Sequence, residues 1–562
     1  MTANGLSVEE AAGIAGVSAA TIRNWGKTGY LTQIGRGLIS KDSLAHFMHA
    51  VAGTSKLTAR ANKSMKDTHD HARVSRALEA LIRNHRPESM GEAYADSLSE
   101  AHRNREGIFY TPPAIAADML KGIIVGSDTS FLDPCCGSGT FLVEALKKGV
   151  KPENVFGFDP DANAVEIART RIRREFGTDA PHLRVGDFLD AAVWLSARGE
   201  SFDLIFTNPP WGKKLPKLQK HSLAKQFGSG RTLDTSALFL FASLKVLKPG
   251  GMLGFLLQEA FFNIAGFEDA RKRILEKQII RLTDYGKPFK KLLTRAQAIV
   301  ICNEPSTCGG SPSASGGACD PSTHGNNEPV ADGVNITCLV RPMVKCTSES
   351  RTYFRAADSF RSNPGTIFNF WAGSGDAAVI ERMYSLPHKT LKGNAGWALG
   401  IVTGNNAAFC SDRAQKGYVP VYKGADISPG RLKKPSAFIP QDFTRFQQVA
   451  PMGFYQAKEK LIYRFIHSRL CFYHDTRQRF ILNSANLLIP DENLGLSCRQ
   501  LADLMNSEPM NWLFRKLFRT HKILRRDLES LPIHVEYFRK NPVFNESTYL
   551  EYLGLKKTSA RL

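Results

Sequence analysis

Between about residues 107 and 343, short apolar runs alternate with stretches of helical periodicity. Ser130-Phe131-Leu132, Val155-Phe156-Gly157-Phe158, Leu204-Ile205-Phe206 and Leu253-Gly254-Phe255-Leu256-Leu257 lack the every-second-residue polar break of a strand with one wet face. They predict strands buried on both sides, as in a parallel sheet. Asn163 to Phe176 and Ser236 to Leu247 predict intervening helices, and the class is α/β. The segment 307–332 is rich in Gly, Ser, Pro and Asn and predicts a solvated loop before the last strand.

The pattern differs at both ends. Ser7 and Glu10 have the spacing of a capping box at the start of a helix, and Gly16-Val17-Ser18 turns into a second helix, Ala19 to Trp25. Ile34 to Ile39 predicts a small wing, and Ser40 caps a helix through His49. These residues resemble the winged helix-turn-helix modules of MerR and excisionase type. The resemblance puts Thr21, Arg23 and Asn24 on a recognition helix, facing DNA or serving as a protein-docking module. Residues 51–105 are polar and helix-prone, a connector. From 347 onward, short strands punctuated by Gly, Asn and Pro lead to a basic helix over Asn511 to Arg526, an α+β texture. The expected domains are therefore 1–50, 51–105, 106–346 and 347–562.

Charge sharpens the picture. Lys and Arg number 74 against 53 Asp and Glu in 562 residues, a formal net charge of +21. The usual cause is a polyanionic partner. Ten cysteines without a C-x-x-C spacing predict neither a disulfide scaffold nor a zinc finger. No apolar run approaches the roughly 20 residues of a membrane span, and the first residues lack signal-peptide character. The expected setting is the cytoplasm, with the chain associated with the nucleoid. His69-Asp70-His71 lacks a third ligand and reads as polar helix surface; no metal is expected.

Leu132-Asp133-Pro134-Cys135-Cys136-Gly137-Ser138-Gly139-Thr140 reads as strand, glycine turn and helix start. Its glycines admit close approach of a ligand to helix N-terminal amides. The third glycine of a dinucleotide fingerprint and the Gly-Lys-Ser/Thr of a phosphate loop are both missing. Asp133, Asp159 and Asp187 end or follow successive strands, which gathers them at the carboxyl edge of a parallel sheet. Three carboxylates without a phosphate cradle suit a nucleoside bearing positive charge, and S-adenosylmethionine fits. Thr207-Asn208-Pro209-Pro210-Trp211 follows another strand. Two prolines remove amide donors and leave the Asn208 side-chain oxygen and the Pro209 carbonyl as acceptors for a planar exocyclic amine. Trp211 offers a face for stacking a flipped base.

With these motifs the chain resembles the gamma-class N6-adenine DNA methyltransferases, including modification subunits of type I restriction-modification systems. Gly107 to Pro113, containing Thr111, matches the family's segment against the methionine part of the cofactor. Asp133-Pro134-x-x-Gly137-Ser138-Gly139 matches the cofactor loop, Phe158-Asp159-Pro160 the ribose element and Gly186-Asp187-Phe188 the adenine element. Asn208-Pro209-Pro210-Trp211 matches the catalytic motif, with Trp a less common choice than Tyr or Phe. Phe289 lies where the family often supplies a second aromatic, although helical packing explains it equally. The resemblance implies a Rossmann-like methyltransferase domain followed by a target-recognition domain. It implies duplex DNA as partner, with a separate restriction endonuclease in some systems. Arg515, Arg519 and Lys522 on the basic helix are expected DNA contacts, alongside Arg23. Cytosine-N4, RNA or protein methylation by the same corner, and an inactive DNA-binding subunit, remain alternatives.

Overall fold

The computed structural model describes residues 5–35, 37–50, 71–98, 103, 106–289, 294–305, 335–340, 351–519 and 522–555. The loop expected at 307–332, His69 and Asp70, and the connector before residue 71 lie outside the described residues. The chain divides into two compact units: one within 69–378, the other built from both ends, within 1–68 and 379–562. No described helix is long and apolar enough to cross a membrane.

Among the described residues, the central unit is built on nine strands. In chain order they are β1 (Phe131–Asp133), β2 (Val155–Asp159), β3 (His182–Val185), β4 (Phe202–Thr207), β5 (Leu247–Gln258), β6 (Lys277–Gly286), β7 (Ala296–Pro305), β8 (Asn335–Val340) and β9 (Arg351–Ala356). The sheet order is β9-β8-β6-β7-β5-β4-β1-β2-β3. Strands β1 to β5 run parallel, and β7 is inserted antiparallel between β5 and β6. The order of connection reverses between β1 and β4, and at such a switch point the loops part to open a crevice. Helices cover both faces, which is why Ile205 and Phe255 on one face and Phe206 and Leu256 on the other are all fully buried.

Two expected boundaries move. Strand β9 pairs antiparallel with β8, so the sheet runs past residue 346, where the change in composition had marked its end. The helix Pro87–Ser97, expected in a connector, packs on the sheet unit instead. It buries Met90 and Tyr94, with Leu98 just beyond it, against Ala164 and Ile167 of the helix Ala162–Phe176. The Tyr94 hydroxyl donates to Asp161 at 2.7 Å.

In the other unit, helices Val8–Ala15 and Ala19–Lys27 pack with Ile39, Leu44 and Phe47 around buried Trp25. Ser7 closes the capping box with Glu10. The strands Gln33–Gly35 and Leu38–Ser40 pair antiparallel where a small wing was expected. This module is seated on the C-terminal part of the same unit. The Asn405 Nδ2 donates to the Thr28 carbonyl at 3.2 Å, and a Cβ on Gly404 would lie 2.4 Å from the Thr28 methyl.

The C-terminal part centres on an antiparallel sheet ordered Ala395–Leu399, Ala485–Pro490, Lys460–Arg464 and Phe472–Asp475. The basic helix expected over 511–526 is two helices, Glu508–Leu517 and Arg525–Glu529. Between them Ile523 is buried and its amide donates to the Phe465 carbonyl at 2.8 Å. That exchange with a neighbouring strand end ends the helix despite its Arg, Lys and Leu content.

Candidate active site

The crevice at the switch point is a cavity of about 570 Å³, and the ends of β1, β2 and β4 supply its polar wall. After β1 the chain turns sharply through Gly137 (φ 48°) and Gly139 (φ 82°) into the helix Thr140–Lys147. A Cβ on Gly139 would sit 2.9 Å from the Ala168 Cβ, and one on Gly137 would sit 3.0 Å from the Tyr110 ring. Positive φ and close packing together require glycine at both positions.

Each of the three aspartates is held by backbone amides. Asp133 is buried and accepts from the Cys135 amide at 3.0 Å. Asp159 accepts from the Gly137 and Asp161 amides, both at 2.9 Å. Asp187 caps the helix Phe188–Ala197 through the Leu189 amide at 2.9 Å. Burial pushes the Asp133 carboxyl up to about 7 and that of Asp159 up to about 6, outweighing the amide bonds that favour their charged forms. All three line the cavity together with Thr111, Gly137, Phe188, Asn208 and Pro210. Lys213 also lines it, and its ammonium lies 3.7 Å from Glu106. A cavity lined by five carboxylates, Glu106, Asp133, Asp159, Asp161 and Asp187, and by one lysine that is itself paired with Glu106, suits a cationic ligand better than a pyrophosphate.

The Asn208 corner is fixed from an adjacent segment. Its Nδ2 donates to the Phe109 carbonyl at 2.6 Å. The Nδ2 is thereby committed, and the Oδ1 is buried with no hydrogen-bond partner. An orphaned buried acceptor is costly, and one in a cavity wall marks the place where a donor belongs. The Trp211 amide donates to the Gly107 carbonyl at 3.1 Å, so residues 107–109 strap the corner at two points.

Trp211 departs from expectation. It is 6% exposed, its Nε1 donates to the Leu256 carbonyl at 3.3 Å, and its ring packs with those of Phe109 and Phe289. The centroids of the trio lie 5.3 to 5.7 Å apart. The free stacking face expected of Trp211 is thus closed by the rings of Phe109 and Phe289. Phe289 is brought beside Trp211, but neither of these two, nor Gly139 or Pro209, is among the residues that line the cavity.

The expected DNA-contacting residues lie in the other unit. Arg23 is exposed and pairs with Glu9 at 3.0 Å, and Arg515 pairs with Glu508 at 2.7 Å. Arg519 and Lys522 are exposed but fall in the break between the two helices rather than along one face. Three participants escaped sequence reading: the Gly107 and Phe109 carbonyls and the Lys213 side chain. A backbone carbonyl has no residue signature; the one available signal was a glycine at 107, four residues before Thr111.

Comparison with known proteins bears directly on this geometry. Residues 86–283 match the N-6 DNA methylase family and residues 419–533 the TaqI-like C-terminal specificity domain. Over 426 residues the chain is 43% identical to the type II methyltransferase M.VspI of Vibrio sp. (strain 343), covering 75% of this chain and 96% of that protein. The chain belongs to the N6-adenine DNA methyltransferases of restriction-modification systems. Identity to the release factor glutamine methyltransferase of Clostridium acetobutylicum is 28% over 144 residues, 24% of this chain and 49% of that one. The methyltransferase also shares its fold with the DrdV protein of a DrdV–DNA complex, at a TM-score of 0.51 and 10% identity over 86% of this chain and 60% of that one. Its substrate is DNA, and the strapped Asn208 corner lies inside the matched methylase segment.

Proposed function

We propose that the methyltransferase takes its methyl group from S-adenosylmethionine and delivers it to the exocyclic amine of an adenine flipped out of duplex DNA. The reading is carried by the buried, unpartnered Oδ1 of Asn208, a residue that lines the same cavity as Asp133, Asp159 and Asp187. When bound, the cofactor supplies a methyl group activated on a sulfonium. Thr111, Asp133, Gly137, Gly139, Asp159, Asp187 and Phe188 would hold it, the carboxylates answering its positive charges and ribose hydroxyls.

Asn208 and Pro209 act on the base. An adenine amine is a weak nucleophile because its lone pair is delocalised into the ring. Donating its two hydrogens to the Asn208 Oδ1 and the Pro209 carbonyl favours a tetrahedral nitrogen with a localised pair. Pro210 stiffens the corner. The trio of Phe109, Trp211 and Phe289 parts to let the base stack on Trp211, with Phe289 opposite. Catalysis is chiefly positioning. Flipping costs a few kcal/mol of unstacking, which contacts to DNA from Arg23, Arg515, Arg519 and Lys522 offset. A separate endonuclease cutting the same site completes the restriction system.

The test is product identification. The protein is incubated with methyl-labelled cofactor and duplex DNA, RNA or release factor, and the product is digested. N6-methyladenine in DNA is expected; label confined to cytosine, RNA or protein would overturn the reading.

A further inference from the structure

We propose that the specificity domain holds a zinc-class divalent cation on Glu459, His474 and Cys498. Nothing in the spacing of these residues resembles a metal motif; the fold brings them together. One ligand atom from each lies within 4.8 Å of the others, and His474 Nε2 is 3.1 Å from Glu459 Oε2. They come from three elements. Glu459 directly precedes the strand Lys460–Arg464, His474 belongs to the strand Phe472–Asp475, and Cys498 is the first residue of the helix Cys498–Asn506.

The backbone carrying the donors is already fixed. Lys460 and Asp475, the immediate neighbours of Glu459 and His474, form a fully buried ion pair at 2.7 Å across the two strands. Lys460 also donates to the Tyr455 carbonyl at 2.7 Å, and Arg479 donates to Asp475 at 2.6 Å. The helix is tied to the same strand at its far end. Asn506 accepts from the Phe472 amide at 2.8 Å and donates to the Phe472 carbonyl at 2.9 Å. A site whose supports are in place before the ion arrives needs only side-chain adjustment to close.

The donor set chooses the cation. A thiolate, an imidazole and a carboxylate suit zinc, whereas calcium and magnesium take oxygen ligands. Tetrahedral bonds of about 2.0–2.3 Å put donors roughly 3.3–3.8 Å apart, so the His474–Glu459 pair at 3.1 Å opens slightly while the donors, all within 4.8 Å of one another, settle around the ion. Cys498 is buried at 7% exposure, His474 is half-buried and Glu459 is exposed, which leaves the fourth position open to water on the Glu459 side. On binding, the Cys498 sulfur bonds the metal and its proton passes to solvent. The ion would pin the helix start to the strand pair, a structural role separate from the methyltransferase cavity.

The full-length protein, purified without chelator, is analysed for metal, then stripped and titrated with Zn²⁺ and Co²⁺ alone. One equivalent of metal is expected. The Co²⁺ form should show visible bands of a tetrahedral site and a thiolate-to-cobalt band in the near ultraviolet. Zn²⁺ should slow iodoacetamide labelling of Cys498 and raise the melting temperature of the stripped protein. Cys498→Ser and His474→Gln should each weaken binding at least tenfold. If wild-type protein gives no thiolate–cobalt band and Cys498 is labelled equally fast with and without Zn²⁺, the proposal fails. Equal affinity in Cys498→Ser would overturn it too. None of these readouts depends on methyl transfer.

Discussion

The Gly107 carbonyl accepts from the Trp211 amide at 3.1 Å, and at φ 71° a Cβ on Gly107 would lie 2.6 Å from that same nitrogen. The strap over the catalytic corner therefore depends on a missing side chain. Gly107→Ala must both leave the left-handed region and push Trp211 away, which displaces Asn208 three residues earlier. Methyl transfer should slow at least tenfold, with cofactor affinity changed less than threefold. Single-turnover rates and calorimetric titration of the cofactor separate the two effects.

Asn208→Ala removes the orphaned acceptor itself. If Oδ1 holds the amine only as the reaction proceeds, kcat should fall roughly 10²–10³-fold, the scale of losing one oriented polar group at a reacting centre. Cofactor binding should be nearly unchanged. Asn208→Asp should not rescue, because a carboxylate in place of the amide faces the Phe109 carbonyl with no hydrogen to donate. Normal turnover in either variant would remove Asn208 from the mechanism.

Acid should weaken the cofactor site while it steadies the empty protein. Burial holds Asp133 at about 7 and Asp159 at about 6, so both gain protons across the neutral range. A cationic ligand needs the charged forms, and its affinity should fall roughly tenfold from pH 8 to pH 6. Stability runs in the opposite direction. Both groups bind protons more tightly folded than at their usual 3.8, so their contribution grows as pH drops from about 7 and levels off below about 4. Ligand-free Asp133→Asn should melt above wild type at pH 8, and the gap should close by pH 4. A constant gap would show that burial does not control this carboxyl.

Trp211 should behave as a core residue before it behaves as a stacking platform. Its near-complete burial between Phe109 and Phe289 predicts that Trp211→Ala destabilises by about 3–5 kcal/mol. Trp211→Phe keeps most of the packing, loses the bond to Leu256, and should cost far less. Urea melts of the two variants, set beside their turnover, separate folding from base stacking.

DNA affinity should fall on the order of 10³-fold between 50 and 200 mM salt if six or more phosphates are neutralised. Arg519→Ala, if this side chain grips a phosphate, should flatten the slope of log affinity against log salt by about one.

The sheet and its crevice were legible because local chemistry determines them. Double-sided burial leaves unbroken apolar runs, and Gly137 and Gly139 are needed wherever a strand turns tightly into a packed helix. Asp133, Asp159 and Asp187 could be placed together because parallel strands share an edge. The misreadings all involve distant partners. The helix expected through Arg526 breaks because Ile523 bonds Phe465. Residues 87–97 looked like a linker because their partners, Ala164, Ile167 and Asp161, lie far along the chain. The spacing of Met90, Tyr94 and Leu98, four apart, was the apolar stripe that pointed to packing. Trp211 was legible as a residue type but not as a buried one, since its neighbours Phe109 and Phe289 come from segments on either side of it.

The bond between Thr28 and Asn405 joins residues 377 apart in sequence. A ribosome adding about 5–20 residues each second needs roughly 20–75 s to make that interval. During this time the whole sheet unit is synthesised, while the helices around Thr28 wait without the Asn405 partner. The unit that holds Thr28 and Asn405 is thus begun before the sheet unit and finished after it. A nascent chain stalled just past residue 378 would hold a complete catalytic unit and a half-built reader.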